Sequence, residues 1–264
     1  MARIMTQPQP YNASIVARHD LHEGLRLLHV APDAGLFPPF QPGQFVSVGC
    51  NLDVDGAPTL VKRSYSVGSS ASERSHVELF VVHVNDGEFT SWLFEQRVGA
   101  RLWLSPKASG GFTLDGFERG RDLVLVATGT GVAPFVSMYR TFRNDPPWRR
   151  IVIINGVRMA RDLGYRDELE TAARSDERLQ YLPAVTREPA TAWSGLRGRV
   201  GEFLEPARYR DLVGAELTPE ECHVYLCGNP EMIESMEAVL TGRGFRKHTP
   251  RHPGNLHLEK YWTD

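Results

Sequence analysis

Two hydrophobic rhythms divide the chain. In the first part, short segments rich in Val, Leu and aromatic residues occur at positions 12–18, 26–31, 44–49, 76–84 and 101–105. They are punctuated by Pro38-Pro39, Pro42-Gly43, Asp55-Gly56 and Asp86-Gly87. Apolar runs of this length between turn-forming pairs predict strands. Only residues 89–94 show a helical period, so the expectation is a small antiparallel β-barrel. Past Gly120 the rhythm changes. Residues 122–127 (DLVLVA) form an unbroken apolar run, as in a strand buried on both faces. Positions 150–156, 179–185 and 222–227 repeat it, with helical patterns at 134–142, 166–174 and 231–240. Strands alternating with helices predict a parallel sheet covered on both sides. The predicted architecture is two-domain: an N-terminal antiparallel β-barrel over residues 1–117, then an α/β parallel-sheet domain over 118–264.

Composition narrows the chemistry. With 264 residues and 41% hydrophobic content, the chain can fill two cores without staples. A net charge of -2 gives no reason to expect a nucleic-acid partner. The three cysteines, Cys50, Cys222 and Cys227, have no CxxC spacing, and three thiols cannot supply the four of an iron–sulfur cluster. No metal site is read from the sequence. No window reaches the roughly 18 apolar residues of a membrane span, and the first residues lack a signal-peptide core. The expectation is a cytoplasmic protein with no membrane insertion.

Three motifs carry candidate chemistry. Thr128-Gly129-Thr130-Gly131-Val132-Ala133-Pro134 follows the first buried strand of the second domain. Its glycines allow a backbone to approach a pyrophosphate at a helix start, with Pro134 suited to the first turn. Any tight strand–helix turn would look similar. Arg63-Ser64-Tyr65-Ser66 ends a barrel strand. Arginine can fork onto phosphate, and the tyrosine two residues on faces the same side and can cover a flat heterocycle. A polar strand end with one core tyrosine fits equally. Cys227-Gly228-Asn229-Pro230-Glu231-Met232 turns from strand to helix at the carboxyl edge of the sheet, where such folds bind ligands; a buried structural cysteine is the alternative.

In this order, and closed by His257-Leu258-Glu259-Lys260-Tyr261-Trp262, the motifs resemble the ferredoxin–NADP reductase superfamily, specifically the bacterial ferredoxin/flavodoxin–NADP(+) reductases. The resemblance spans the chain and includes residues 86–93 (DGEFTSWL) and 109–115 (SGGFTLD). It implies an FAD-dependent oxidoreductase that moves hydride between NADP(H) and flavin and single electrons between flavin and ferredoxin or flavodoxin. The family is usually monomeric.

By the same resemblance, Arg63 would hold the FAD pyrophosphate, Tyr65 would pack on the isoalloxazine, and Ser66 would bond near flavin N5, with Ser64 beside them. Val81, Val82, His83 and Val84, then Glu88, Phe89 and Thr90, would add further contacts, and Thr128 would lie near the flavin. Tyr261 would cover the other flavin face as a displaceable lid. Trp262 would stack on the adenine of a folded FAD, although Thr263 and Asp264 extend past it. Gly129, Thr130 and Gly131 would hold the NADP pyrophosphate. Cys227, Gly228, Asn229, Pro230 and Met232 would line the nicotinamide end. Glu259 would relay protons or position the nicotinamide. Arg158, Arg187 and Arg199 fill the places expected for the 2′-phosphate. The carrier would dock on basic residues such as Lys107, Arg243, Arg246, Lys247 and Arg251. Two other readings compete: an oxygenase-associated flavin reductase component, and a nucleotide-binding module that has lost catalysis.

Overall fold

The computed structural model describes residues 10–261. It divides into two compact units, Met1–Thr113 and Leu114–Asp264, each built on a six-stranded sheet.

The first unit contains β1 (Ala13–His22), β2 (Leu25–Pro32), β3 (Phe45–Val54), β4 (Ala57–Ser66), β5 (Val77–Val82) and β6 (Arg101–Leu104), in the order β4-β3-β6-β1-β2-β5. Every pairing is antiparallel. A bridge between Val67 and Leu79 joins the two outer strands, so the sheet curls around its core. That core takes alternate positions along the strands, among them Ile15, Leu28, Val46, Val48, Leu79, Val81 and Leu102. Helix α1 (Glu88–Glu95) adds Phe89 and Leu93 to it. β3 and β4 meet at Asp55-Gly56, both with positive φ (54 and 78), the twist a two-residue hairpin turn requires. The predicted strand at 76–84 is shorter than expected, ending at Val82.

The second unit contains β7 (Asp122–Thr128), β8 (Arg150–Val157), β9 (Leu179–Val185), β10 (Leu196–Arg197), β11 (Cys222–Gly228) and β12 (Leu256–Lys260). All pair in parallel, in the order β10-β9-β8-β7-β11-β12. Val124, Val126, Val152, Ile154, Val224 and Leu226 pack with residues of α4 (Pro206–Val213) and α5 (Pro230–Gly242). The alternate positions Leu123, Leu125, Ile151 and Ile153 are also fully buried, as expected when both faces are covered. Helices α2 (Ala133–Phe142) and α3 (Arg166–Ser175) complete the unit. From β7 the chain builds outward through β8, β9 and β10, then crosses back to place β11 and β12 on the other side of β7. The order therefore reverses between β7 and β11, and open α/β sheets form their ligand crevice at the carboxyl ends of strands at such a point. No helix among the described residues is long and apolar enough to cross a membrane.

Candidate active site

The two motifs rich in glycine lie side by side at this reversal point. The turn after β7 is a one-turn 3-10 helix, Gly129–Val132, entered by Gly129 at φ 55. A Cβ on Gly131 would lie 2.5 Å from the Cys227 carbonyl oxygen, so the turn seats against the end of β11 only because that position lacks a side chain. Gly228 has φ 127, and a Cβ there would collide with the Thr128 hydroxyl. That hydroxyl accepts a hydrogen bond from Asn229 N–H at 2.9 Å. Asn229 in turn caps α5, its Oδ1 accepting from Met232 N–H at 3.1 Å, with Pro230 in the first turn. A capped helix start beside a bare glycine turn directs backbone N–H groups and a positive dipole end toward one place, as anionic ligands require.

The end of the described chain closes this corner. β12 pairs with β11 so that Glu259 stands opposite Cys227. Tyr261 N–H donates to the Gly228 carbonyl at 3.2 Å, and its hydroxyl donates to the Thr130 carbonyl, inside the glycine turn, at 2.6 Å. Burial, and after it the Glu259 charge, push the Cys227 thiol well above its ordinary range, so it packs as a neutral group. Glu259 keeps Oε2 buried with no hydrogen-bond partner among the described residues, and burial raises its carboxyl to about 7. A row of rings anchors the same strand. His257 lies parallel to Tyr225 (3.9 Å, 3°) and stacks on His248 (4.5 Å). Its Nε2 is 3.3 Å from His223 Nδ1.

The three arginines expected at a 2′-phosphate gather on one rim. Arg158 follows β8, Arg187 lies two residues beyond β9, and Arg199 lies two beyond β10, three neighbouring parallel strands. Arg187 N–H donates to the Arg158 carbonyl at 2.9 Å, and Gly198 N–H to the Val185 carbonyl at 3.1 Å, tying the strand ends together. All three side chains are exposed, and none forms an ion pair or hydrogen bond among the described residues.

On the first unit, Arg63, Ser64, Tyr65 and Ser66 end β4, beside β5 through the Val67–Leu79 bridge. Arg63 and Ser64 are exposed, and Ser66 is buried. Arg63 Nη1 donates to the Lys62 carbonyl at 2.7 Å. Tyr65 is largely buried, its ring 6.5 Å from Phe89. Burial raises its phenol. Val82 (42%) and Val84 (52%) are exposed apolar side chains, whereas Val81 and Phe89 point into the core. The Thr90 hydroxyl bonds the Val84 and Gly87 carbonyls, each at 3.2 Å, so it builds the turn after β5. His83 Nε2 is 3.2 Å from Ser91 Oγ, and Glu88 opens α1 in solvent. Exposed apolar side chains at and just past the end of β5, with an exposed guanidinium on the bridged strand β4, suit a flat heterocycle carrying a phosphate, as in FAD.

Trp262, with Thr263 and Asp264, lies outside the described residues. Arg243, expected at a carrier surface, instead holds the Leu204 and Leu217 carbonyls at 2.6 and 2.8 Å and is half-buried. Lys247 pairs with Glu237 at 2.9 Å, while Lys107, Arg246 and Arg251 are exposed. The adhesion of Tyr261 to the glycine turn was not readable in advance, because it joins residues 131 positions apart.

Both units match known protein families. Residues 30–109 match the family model described as an oxidoreductase FAD-binding domain, and residues 125–238 match that of an oxidoreductase NAD-binding domain. The chain is 31% identical to the ferredoxin–NADP reductase of Pseudomonas aeruginosa, covering 96% of this chain and 98% of that one. It is 35% identical to ferredoxin–NADP reductase A of Sorangium cellulosum, covering 84% and 80%. Among solved structures, a ferredoxin NADP+ reductase from Neisseria gonorrhoeae with bound FAD and NADP superposes with a TM-score of 0.84 at 27% identity, covering 95% and 98%.

Proposed function

This chain belongs to the ferredoxin–NADP reductase family, and on that footing we propose that it is an FAD-dependent oxidoreductase carrying electrons between NADP(H) and ferredoxin or flavodoxin. The observation that carries the reading is the corner at the strand reversal, where the Gly129–Gly131 turn, the capped start of α5 and the Cys227–Glu259 pair meet. When bound, FAD and NADP(H) supply the redox chemistry: a hydride exchanges between the dinucleotide and the flavin, which trades electrons singly with the carrier.

The chain's own residues do the rest. The glycine turn and α5 amides hold the dinucleotide pyrophosphate, as backbone N–H groups at helix starts do. Arg158, Arg187 and Arg199 select the 2′-phosphorylated form, while Glu188 beside them caps Ala160 N–H through Oε2 at 2.7 Å. Cys227, buried and neutral, excludes water from the corner. Glu259 can hold or release a proton at Oε2 near neutral pH. The Tyr261 hydroxyl holds the Thr130 carbonyl of the turn through a hydrogen bond worth only about 0.5–1.5 kcal/mol net, which an arriving ligand can replace. Arg63 with the exposed Val82 and Val84 receives FAD on the first unit. Of the competing readings, the inactive module fits poorly with a buried carboxyl poised to titrate near 7.

Anaerobic stopped-flow mixing of the FAD-loaded protein with NADPH and then NADH tests this. Flavin bleaching should be fast with NADPH and much slower with NADH. Equal rates, or a preference for NADH, would remove the 2′-phosphate assignment and bring the oxygenase-associated reading forward.

A further inference from the structure

The rim that carries Arg158, Arg187 and Arg199 holds a fourth arginine in the same condition. Arg161 sits in a one-turn 3-10 helix, Ala160–Asp162, that begins three residues after β8 ends. It is exposed, and its side chain has no ion pair or hydrogen bond among the described residues. The helix is not a loose excursion. Met159 N–H donates to Asp162 Oδ2 at 3.0 Å, and Ala160 N–H donates to Glu188 Oε2 at 2.7 Å. Glu188 is the neighbour of Arg187, whose own N–H is bonded to the Arg158 carbonyl at 2.9 Å. Arg161 therefore stands one residue from an amide tied to the Arg187 segment and three residues from Arg158.

The other charges nearby are already committed. Arg197 donates to the Glu188 carbonyl. Arg208 pairs with Glu202 at 3.2 Å, and Glu202 Oε1 also accepts from Arg199 N–H at 3.0 Å. Arg166 pairs with Glu170 at 2.6 Å and lies over the Trp193 ring. Acids on this rim thus cap backbone amides or bind other arginines, and these four guanidiniums have no ion-pair partner among the described residues. Like-charged groups held without ion pairs repel one another, so such a cluster suits a multiply charged anion. A phosphate monoester carries a charge near −2 and offers three acceptor oxygens, enough for more than one guanidinium fork.

We propose that Arg161 is a specificity-determining residue that binds the 2′-phosphate of NADP(H) together with Arg158, Arg187 and Arg199. This rests on the proposed reading of the rim as the 2′-phosphate site. Arg161 contributes through a direct charge-assisted contact, so its effect depends on the phosphate and not on the rest of the dinucleotide.

The test uses the FAD-loaded protein with ferricyanide as acceptor, comparing Arg161→Gln, Arg161→Lys and Arg158→Gln with NADPH and with NADH. Arg161→Gln should raise KM for NADPH roughly tenfold, the usual consequence of losing one charge-assisted contact. The loss should fall on KM and not kcat, KM for NADH should stay put, and Arg161→Lys should recover part of it. Inhibition by adenosine 2′,5′-bisphosphate should weaken in parallel, with that by ADP unaffected. A KM for NADPH within twofold of the parent, or an equal loss with NADH, overturns the assignment of Arg161. If Arg158→Gln keeps its selective defect in that case, the 2′-phosphate site stands without Arg161. If Arg158→Gln also leaves NADPH preference intact, the underlying reading of the rim fails separately.

Discussion

Glu259 has an ordinary carboxyl pKa of 4.5 when unfolded and about 7 in place, and burial is the cause. Between those values the folded protein holds a proton that the unfolded chain has released. Stability therefore falls as pH rises through this window, and the cost is complete above it. Its size is of order 1–3 kcal/mol. Urea unfolding of the parent and Glu259→Gln at pH 5 and pH 8 should show the variant gaining relative stability at the higher pH; parallel losses in the two proteins would refute the assignment. Single residues were also the most legible feature of the sequence. The glycines of the turn announce themselves because Gly131 has no space for a Cβ. Arg161 did not, because an exposed arginine looks the same in any sequence until its neighbours' commitments are known.

At the scale of elements, β12 shows what pattern reading misses. LHLEK is five residues long and pairs along its length with a strand about thirty positions earlier, adding a single bridge from Leu256 to Lys247, so local periodicity carries little of its reason to be a strand. Only the end of β4, Arg63 to Ser66, was read as a strand, for a related cause: its outer part, from Ala57 to Thr59, is exposed and gives no apolar run. α4 is short and carries three charges within PARYRDLV. By contrast, the buried strands β7, β8, β9 and β11 were plain, since a parallel strand covered on both faces must be apolar throughout.

The ring row on β12 also makes that strand sensitive to acid. His257 is held to about 3 against an ordinary 6.5, first by burial and then by His248 and His223; burial lowers His223 as well, with Glu118 opposing and Arg121 reinforcing. Asp115 is the charge that faces Tyr225. Below 6.5 the unfolded chain takes up a proton that folded His257 refuses, so stability is lost as pH falls toward 3. Glu259 works in the opposite direction between 4.5 and 7, but its shift is smaller and His223 adds to the loss. The net effect is destabilisation in acid. His257→Phe, which keeps a ring against Tyr225 but cannot titrate, should flatten the acid side of the stability profile. It should cost about 1 kcal/mol at pH 7 by leaving His223 without its partner. Urea midpoints from pH 4 to 7 that track the parent would show that His257 does not set this slope.

Taken whole, the molecule is two units with separate cores, and every contact proposed for NADP(H) lies in the second. Hydrogen exchange can read this directly. Adenosine 2′,5′-bisphosphate should slow exchange in the segments around 129–132, 158–162 and 186–199, all in the second unit, and leave the strand amides of the first unit at their original rates. Protection confined to the first unit would contradict the assignment. The two-unit plan was legible because near Gly120 short strand signals between turn-forming pairs give way to apolar runs that alternate with helical patterns, a change in how each sheet is covered. Which strand ends meet at the reversal point was not, because that depends on the crossover that returns the chain to β11.

The arginine rim stands on the ends of β8, β9 and β10, whereas the glycine turn belongs to β7 and β11. On the proposed reading, coenzyme choice and coenzyme chemistry therefore occupy different strands. A lineage, or an engineer, could trade one coenzyme for the other by recolouring a few exposed side chains, without reopening the tightly packed corner where a single methyl group has no room.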